Sequence, residues 1–421
     1  MSDSQLKAPR GTFDVLGDQA AARATLEQRA RALLEGAGYE RIETPVMEAT
    51  ELFARGVGAS TDIVTKEMFT LEDPGGRSLT LRPEGTAPVC RAYIEHGMHK
   101  RRQPVKLWYL SSFFRHERAQ AGRYRQFWQV GAEAIGSPEP TVDAELIALL
   151  STLLSQMGVA GVGLRISSLG SPERREQYRE LLKAHLRQNE ADLSPEVRAR
   201  IDLNPLRAFD SDHEPTQKIM ATAPKLMDHL DADDLAHFDE LRRLLDTAGI
   251  VYEVDPTLVR GLDYYTRTVF EFTSTQLGAQ SAVGGGGRYD RLIEQLGGKP
   301  TPGVGFAAGI ERILLAGEQQ PPATSSTELY IALAKHDPQT RQRAFALLTE
   351  ARSAGLAAQM ELGGRALKGQ LSQASALGAR FVAILGDSDT TTQLKDMQDG
   401  SQREVEGDRV VHAVLRGHHA I

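Results

Sequence analysis

The sequence predicts a mixed α/β protein in two parts. Residues 1–317 form an α+β region with a helical insertion at about 171–248, and residues 329–421 form a smaller α/β unit beyond a linker at 318–328. Three stretches carry this prediction. Residues 108–133 read as strand, polar loop, strand, with Trp108, Tyr109, Phe113 and Phe114 before the loop and Phe127, Trp128 and Val130 after it; aromatic and β-branched side chains suit a pleated surface. The stretch at about 171–248 is rich in charge and helix formers, poor in β-branched runs, and interrupted by Asn204-Pro205. Beyond Pro321-Pro322-Ala323-Thr324-Ser325-Ser326, strand and helix patterns alternate, as in a compact unit with a largely parallel sheet.

At 421 residues the chain is long enough for two or three domains. A 41% hydrophobic and 25% charged composition is ordinary for a globular protein. The net charge of −7 argues against a globally basic nucleic-acid coat and leaves room for a local basic surface. Cys90 is the one cysteine, which excludes an internal disulfide framework and fits a reducing compartment. No secretory signal and no membrane span are expected, because no basic start precedes an apolar core and no apolar run is long enough.

In chain order, apolar residues recur at helical spacing from about Gln19 to Gly36, with Gly38 as a stop. Tyr39–Glu48 reads as a strand ending against Pro45, which lacks an amide donor and so belongs at an edge or a break in pairing. Such an edge beside a long helix suits a dimer surface and equally a simple sheet edge. Residues 66–71 and 78–82 alternate as a hairpin around Asp73-Pro74-Gly75-Gly76. Arg82-Pro83-Glu84-Gly85-Thr86 then opens a helix. A carboxylate and a hydroxyl at a strand end are site candidates, and they fit a helix start with an acid and a capping hydroxyl as well. Lys100-Arg101-Arg102 reads as a solvated helix end or a phosphate contact.

The loop after Phe114 carries Arg115, Arg118, Arg123 and Arg125, broken by Gly122. Four neighbouring guanidiniums repel unless an anion sits among them, and planar bidentate donors suit a polyphosphate. Gln129 and Glu133 follow at an even offset, which places both on one face of a strand. Together these imply a pocket for an anion and a cationic small molecule; a solvated hairpin tip remains the plainer alternative. A helix at 141–157 and a strand at 162–166 precede the insertion, and strand texture returns at 250–254 and 268–272. The run Gly284-Gly285-Gly286-Gly287 lets backbone approach a ligand or serves as a flexible turn; it matches neither a dinucleotide loop nor a P-loop. Residues 303–315 read as a glycine-rich strand running into a helix with Arg312 in its first turn. In the C-terminal unit, strands are expected at 329–334, 357–362, 381–386, 393–397 and 403–406, with helices at about 338–354 and 365–377.

These residues resemble the class II aminoacyl-tRNA synthetases, and specifically the histidyl-tRNA synthetase family, over nearly the whole chain. Gly38–Glu48 resembles class II motif 1, Phe114–Glu133 motif 2 and Gly303–Leu315 motif 3. Arg82–Thr86, Gly284–Asp290 and above all Arg260-Gly261-Leu262-Asp263-Tyr264-Tyr265 narrow the likeness to the histidyl family. The resemblance implies a catalytic domain with the antiparallel sheet of the class II type and an anticodon-binding C-terminal domain. It also implies the substrates L-histidine, ATP with Mg²⁺, and histidine tRNA, in a cytoplasmic homodimer.

Residue by residue, the resemblance assigns histidine binding to Glu84, Gly85, Thr86, Arg115, Gln129, Glu133, Arg260, Tyr264 and Tyr265. Within that set, Glu84, Thr86 and Gln129 hold the α-amino group, and Glu133 and Tyr265 read the imidazole. ATP binding falls to Arg115, Glu117, Arg123, Phe127 and Arg312, catalysis to Arg115 and Arg260, and contact with the tRNA acceptor end to Arg118 and Gln120. The Mg²⁺ ligands are left open. Ala119, Trp128 and Arg291 stand where the family usually has proline, histidine and glycine; none of the three removes a group with a chemical role. The competing expectation is a non-catalytic, histidine-binding regulatory paralogue serving histidine biosynthesis. Such paralogues typically lack the anticodon domain and have lost ligand-binding residues that this chain keeps.

Overall fold

The computed structural model describes residues 6–58, 61–117, 122–258, 262–278, 281–318 and 327–418. The chain forms two compact units, Met1–Gln320 and Pro321–Ile421.

The first unit begins with helix α1 (Gly17–Gly36), followed by β1 (Glu40–Arg41), β2 (Met47–Ala49), α2 (Thr50–Gly56), β3 (Phe69–Glu72), β4 (Ser78–Leu81) and α3 (Thr86–Glu95). The long hairpin β5 (Val105–Phe114) and β6 (Gln126–Ile135) comes next, then α4 (Pro140–Gln156) and β7 (Val162–Ser168). The insertion holds α5 (Pro172–Gln188), α6 (Pro195–Arg200), α7 (Glu214–Ala221) and α8 (Ala232–Thr247). After it come β8 (Glu253–Val254), β9 (Thr266–Ser274), β10 (Ala282–Arg288), α9 (Leu292–Gln295), β11 (Gly303–Gly309) and α10 (Ile310–Ala316).

Eight strands form one sheet in the order β1-β5-β6-β11-β10-β9-β7-β8, antiparallel except for the outermost pair at each edge. One face is covered by helices. Leu26, Ala30 and Leu34 of α1, Leu146, Leu150 and Leu153 of α4 and Phe238, Leu241 and Leu245 of α8 pack on Val130, Ala132, Phe270, Phe272 and Val304. The other face carries the candidate site. Strand alternation sorts the two faces along β6: Trp128, Val130, Ala132 and Ala134 point into the helix-covered core, and Phe127, Gln129, Gly131 and Glu133 point away from it.

Two expectations change here. The strand at 39–48 is split: β1 joins the edge of the large sheet, and β2 joins a separate three-stranded sheet, β2-β4-β3. Pro45 stands between them, where its missing N–H costs no ladder bond. The glycine run is also not a turn. Gly284–Gly287 lie within β10, paired on both sides. A Cβ at Gly286 would sit 1.9 Å from the Gly305 carbonyl oxygen, so only glycine permits this approach between strands.

The second unit comprises β12 (Leu329–Leu333), α11 (Pro338–Ser353), β13 (Ala358–Met360), α12 (Leu367–Ala376), β14 (Phe381–Leu385), β15 (Thr391–Asp396), β16 (Gln402–Glu406) and α13 (Val410–His418). Its sheet order is β13-β12-β14-β15-β16, parallel across the first three strands and antiparallel across the last two. The domain closes on α13 rather than on a strand, because Val410, Val411 and Val414 bury against α11 and the sheet. Among the described residues no helix is long and apolar enough to cross a membrane.

Candidate active site

On the open face of the large sheet lies a cavity of about 740 Å³. Its floor is β6, β10 and β11, where Gly284, Gly285, Gly305 and Gly309 leave room that side chains would fill. Glu84, Gly85, Thr86, Tyr109, Arg115, Glu117, Arg123, Phe127, Gln129, Tyr264, Tyr265, Tyr289 and Arg312 all line it. Residues from two of the expected motifs, the second and third, and from all three family signatures therefore meet in one place, whereas the first motif contributes none of the lining. Arg260, Arg118 and Gln120 lie outside the described residues, as does Ala119.

Glu84 fulfils both readings of its position. Its carboxylate accepts the Thr86 and Ala87 N–H groups at 2.8 and 2.9 Å, capping α3, while it is only 4% exposed and lines the cavity. Tyr264 donates its hydroxyl to the same carboxylate at 3.3 Å. Burial raises the Glu84 pKa, against the pull of those two amides and Arg115. Thr86 does not cap the helix; its hydroxyl donates to Glu133 at 2.8 Å. The Gln129 Oε1 is buried with no partner among the described residues, an acceptor that a donor in the cavity would satisfy.

Glu133 sits behind the cavity wall, fully buried. Tyr289 donates to it at 2.7 Å, Thr86 at 2.8 Å and Tyr109 at 3.4 Å. Burial pushes its carboxyl up to about 8, against the Tyr289 and Thr86 hydrogen bonds and with a further push from the Glu84 charge. The folded protein therefore holds this proton more tightly than the unfolded chain. That favours the native state fully below the ordinary carboxylate range, and the contribution is lost as pH rises through about 8. Glu84 shifts in the same direction, so the informative quantity is a difference. Between about pH 5 and 9 the ligand-free native chain is expected to lose more thermal stability than Glu133→Gln, by on the order of a few kcal/mol. Parallel melting curves for the two would remove Glu133 as the titrating group.

The cationic side is built from Arg115, Arg123 and Arg312. The Arg115 Nε donates to the Pro83 carbonyl at 2.9 Å, and its guanidinium carbon lies 5.4 Å from the Phe127 ring centre. The Glu117 carboxylate lies 3.2 Å from Arg123 and 3.8 Å from Arg115, as their internal counter-ion. Arg312 is lowered in pKa by burial and by the nearby Arg123 charge. Arg125 leaves the expected four-arginine cluster. Its side chain packs over Gly11 and its Nε donates to the Glu117 carbonyl at 3.4 Å. The Gly11 carbonyl accepts the Arg125 N–H at 2.8 Å, so the N-terminal segment holds this arginine outside the cavity.

Several lining residues carried no sequence signal. Tyr109 reads as an ordinary strand aromatic and Tyr289 only as part of the Gly284–Asp290 signature, with no role given to either; the fold aims both at Glu133. Asp62 lines the rim and pairs with Arg200 of α6 at 3.0 Å and with Arg207 at 3.7 Å, so the insertion grips this edge of the site. Arg165 also lines the cavity, between Asp255 at 3.1 Å and Glu271. The two other departures have local partners. Trp128 stacks under Arg23, whose guanidinium carbon lies 3.9 Å from the ring centre, while its backbone N–H donates to the Glu311 carboxylate at 3.1 Å. Arg291 pairs with Glu173 at 3.1 Å and Glu294 at 3.4 Å.

A broad, mainly antiparallel sheet, floored with glycine and edged with arginine, has the class II aminoacyl-tRNA synthetase fold. Residues 11–313 match the family model described as histidyl-tRNA synthetase. A histidine–tRNA ligase of Halorhodospira halophila is 46% identical over 424 aligned residues, covering 99% of each chain. The crystal structure of apo Staphylococcus aureus histidyl-tRNA synthetase superposes with a TM-score of 0.81 at 35% identity, covering 97% of this chain and all of that one. A Bacillus halodurans structure described as an ATP phosphoribosyltransferase regulatory subunit/histidyl-tRNA synthetase shares the fold at a TM-score of 0.66 and 24% identity. The chain belongs to the histidyl-tRNA synthetase family.

Proposed function

We infer that the chain is a histidine–tRNA ligase: it activates L-histidine with ATP and transfers it to the 3′ end of histidine tRNA. The observation that carries the reading is one cavity with two chemistries. Buried acceptors (Glu84 and the unpartnered Gln129 Oε1) suit an ammonium, and Arg115, Arg123 and Arg312 suit phosphates. Thr86 and Gly85 complete the amino-group side, and Glu133 and Tyr265, with Tyr264 beside them, read the imidazole. Glu133 acts there through the hydroxyls that surround it. A site built on buried polar partners rejects side chains that leave them unpaired.

In the first step a histidine carboxylate oxygen attacks the α-phosphorus. The bond to the bridging oxygen of the β-phosphate breaks, and pyrophosphate leaves with that electron pair. Arg115, joined by Arg260, stabilises charge on the five-coordinate phosphorus, which is positioning and electrostatics rather than covalent catalysis. Phe127 stacks on the adenine and Glu117 turns from counter-ion to adenine partner, while Arg123 and Arg312 take the β- and γ-phosphates. Mg²⁺, if bound with ATP, would share the charge of its phosphates with these arginines. In the second step the terminal ribose hydroxyl of the tRNA attacks the adenylate carbonyl and AMP leaves, with Arg118 and Gln120 against the acceptor end. The C-terminal unit binds the anticodon, and the working form is a cytoplasmic homodimer.

Histidine-dependent ATP–pyrophosphate exchange tests the reading. Exchange that needs histidine, followed by charging of histidine tRNA, is the expected result. A folded chain that binds histidine and exchanges nothing would instead be the regulatory paralogue.

A further inference from the structure

Arg175 belongs to α5 of the insertion, but its Nη1 donates to two backbone carbonyls of the catalytic region: Asp263 O at 2.8 Å and Tyr265 O at 3.0 Å. These carbonyls flank Tyr264. The Nη2 lies 3.9 Å from the Asp263 carboxylate, and the Nε is buried without a partner among the described residues. Burial lowers the Arg175 pKa and Asp263 opposes this most, so the charge is kept in place against its desolvation.

In front, the Tyr264–Tyr265 pair faces the main cavity. Tyr264 reaches Glu84, and the two rings lie 4.8 Å apart. Behind the pair is a second cavity of about 240 Å³, bounded by Arg175, Arg179, Leu206, Asp263, Tyr264 and Tyr265. A segment that borders an open cleft has fewer packing neighbours on that side than one inside the core. The guanidinium at the edge of this cleft ties both carbonyls to α5, and its loss would remove that tie and loosen the dipeptide.

We propose that Arg175 is a positioning residue for amino-acid recognition: it fixes Tyr264 and Tyr265 from behind, so that the insertion sets the affinity for histidine. This rests on the reading of the main cavity as the histidine site. It assigns a function to a segment whose sequence carries no catalytic signature.

The test compares the full-length native chain with Arg175→Met and Arg175→Lys in two readouts. In pyrophosphate exchange, Arg175→Met is expected to raise the KM for histidine about tenfold or more while the KM for ATP stays within about twofold. Arg175→Lys, which keeps the charge but not the forked reach, falls between. In hydrogen exchange, peptides spanning 262–268 exchange faster in both variants. The proposal is overturned if both KM values rise together, or if exchange in that segment is unchanged. Should Arg175→Met fail to fold, Arg175→Lys carries the same comparison. A native chain without histidine-dependent activity removes the functional reading, and the hydrogen exchange then still decides whether Arg175 holds the dipeptide.

Discussion

Arg115→Ala is expected to reduce histidine-dependent pyrophosphate exchange by about 10²–10³-fold, the cost of removing one preorganised charge-stabilising donor. The structure fixes this guanidinium before any substrate arrives. Its Nε is tied to the Pro83 carbonyl at 2.9 Å, one residue before Glu84, and it lies over the Phe127 ring at 5.4 Å. In the proposed reading, the same anchors stand beside the acceptor for the ammonium and the platform for the base, so one side chain would set ammonium, α-phosphate and adenine relative to one another. Glu117 at 3.8 Å supplies only part of a counter-charge that it also lends to Arg123 at 3.2 Å. An arriving phosphate therefore meets a cationic site already oriented and short of anions. Arg115→Lys should recover little, because an ammonium cannot both bond Pro83 and present a planar fork. The loss should fall mainly on kcat, with the thermal midpoint moving little, since the residue lines a cavity rather than filling the core. Exchange within about threefold of the native rate would show that the reacting phosphate is held elsewhere.

Much of this site was legible because strand geometry is local. An even offset placed Gln129 and Glu133 on one face, and β6 does so, with Trp128, Val130 and Ala132 sorted to the opposite, helix-covered side. Composition alone marked the insertion as helical and the last hundred residues as a separate alternating unit. What failed was set by distant contacts. Tyr289 meets Glu133 across 156 residues, and Arg175 meets Tyr265 across 90, so no local pattern announces either. The four-glycine run reads as a turn because glycine has weak strand preference; pairing on both sides overrides that preference. Helix α13 was missed because Val410, Val411 and Val414 are β-branched, although their spacing already suits one face of a helix. Arg125 looked like a fourth phosphate ligand until Gly11, more than a hundred residues earlier, proved to be its partner.

The same dependence on register makes Gly305→Ala the most damaging small change to expect. Gly305 stands directly opposite Glu133 across β11 and β6. A Cβ there would lie 1.7 Å from the Glu133 Oε2 and 2.5 Å from its carboxyl carbon. The carboxylate cannot swing aside cheaply, because Tyr289 and Thr86 hold its two oxygens at 2.7 and 2.8 Å. The backbone cannot retreat either, since the Gly305 carbonyl already packs against Gly286 on the next strand. Glu133 must therefore leave its hydroxyl partners, and with it goes the arrangement proposed to read the imidazole. Displacement on the order of 1 Å at such a site costs about 10²-fold, so exchange at fixed histidine should fall by at least that much, with the KM for histidine affected more than the KM for ATP. Overpacking should lower stability by about 1–3 kcal/mol as well. Gly36→Ala at the end of α1, where an added Cβ meets nothing within 4 Å, separates the two effects: it should be neutral or slightly stabilising and leave exchange intact. If Gly305→Ala kept native histidine discrimination, Glu133 could shift freely and its three hydroxyl partners would not be what positions it.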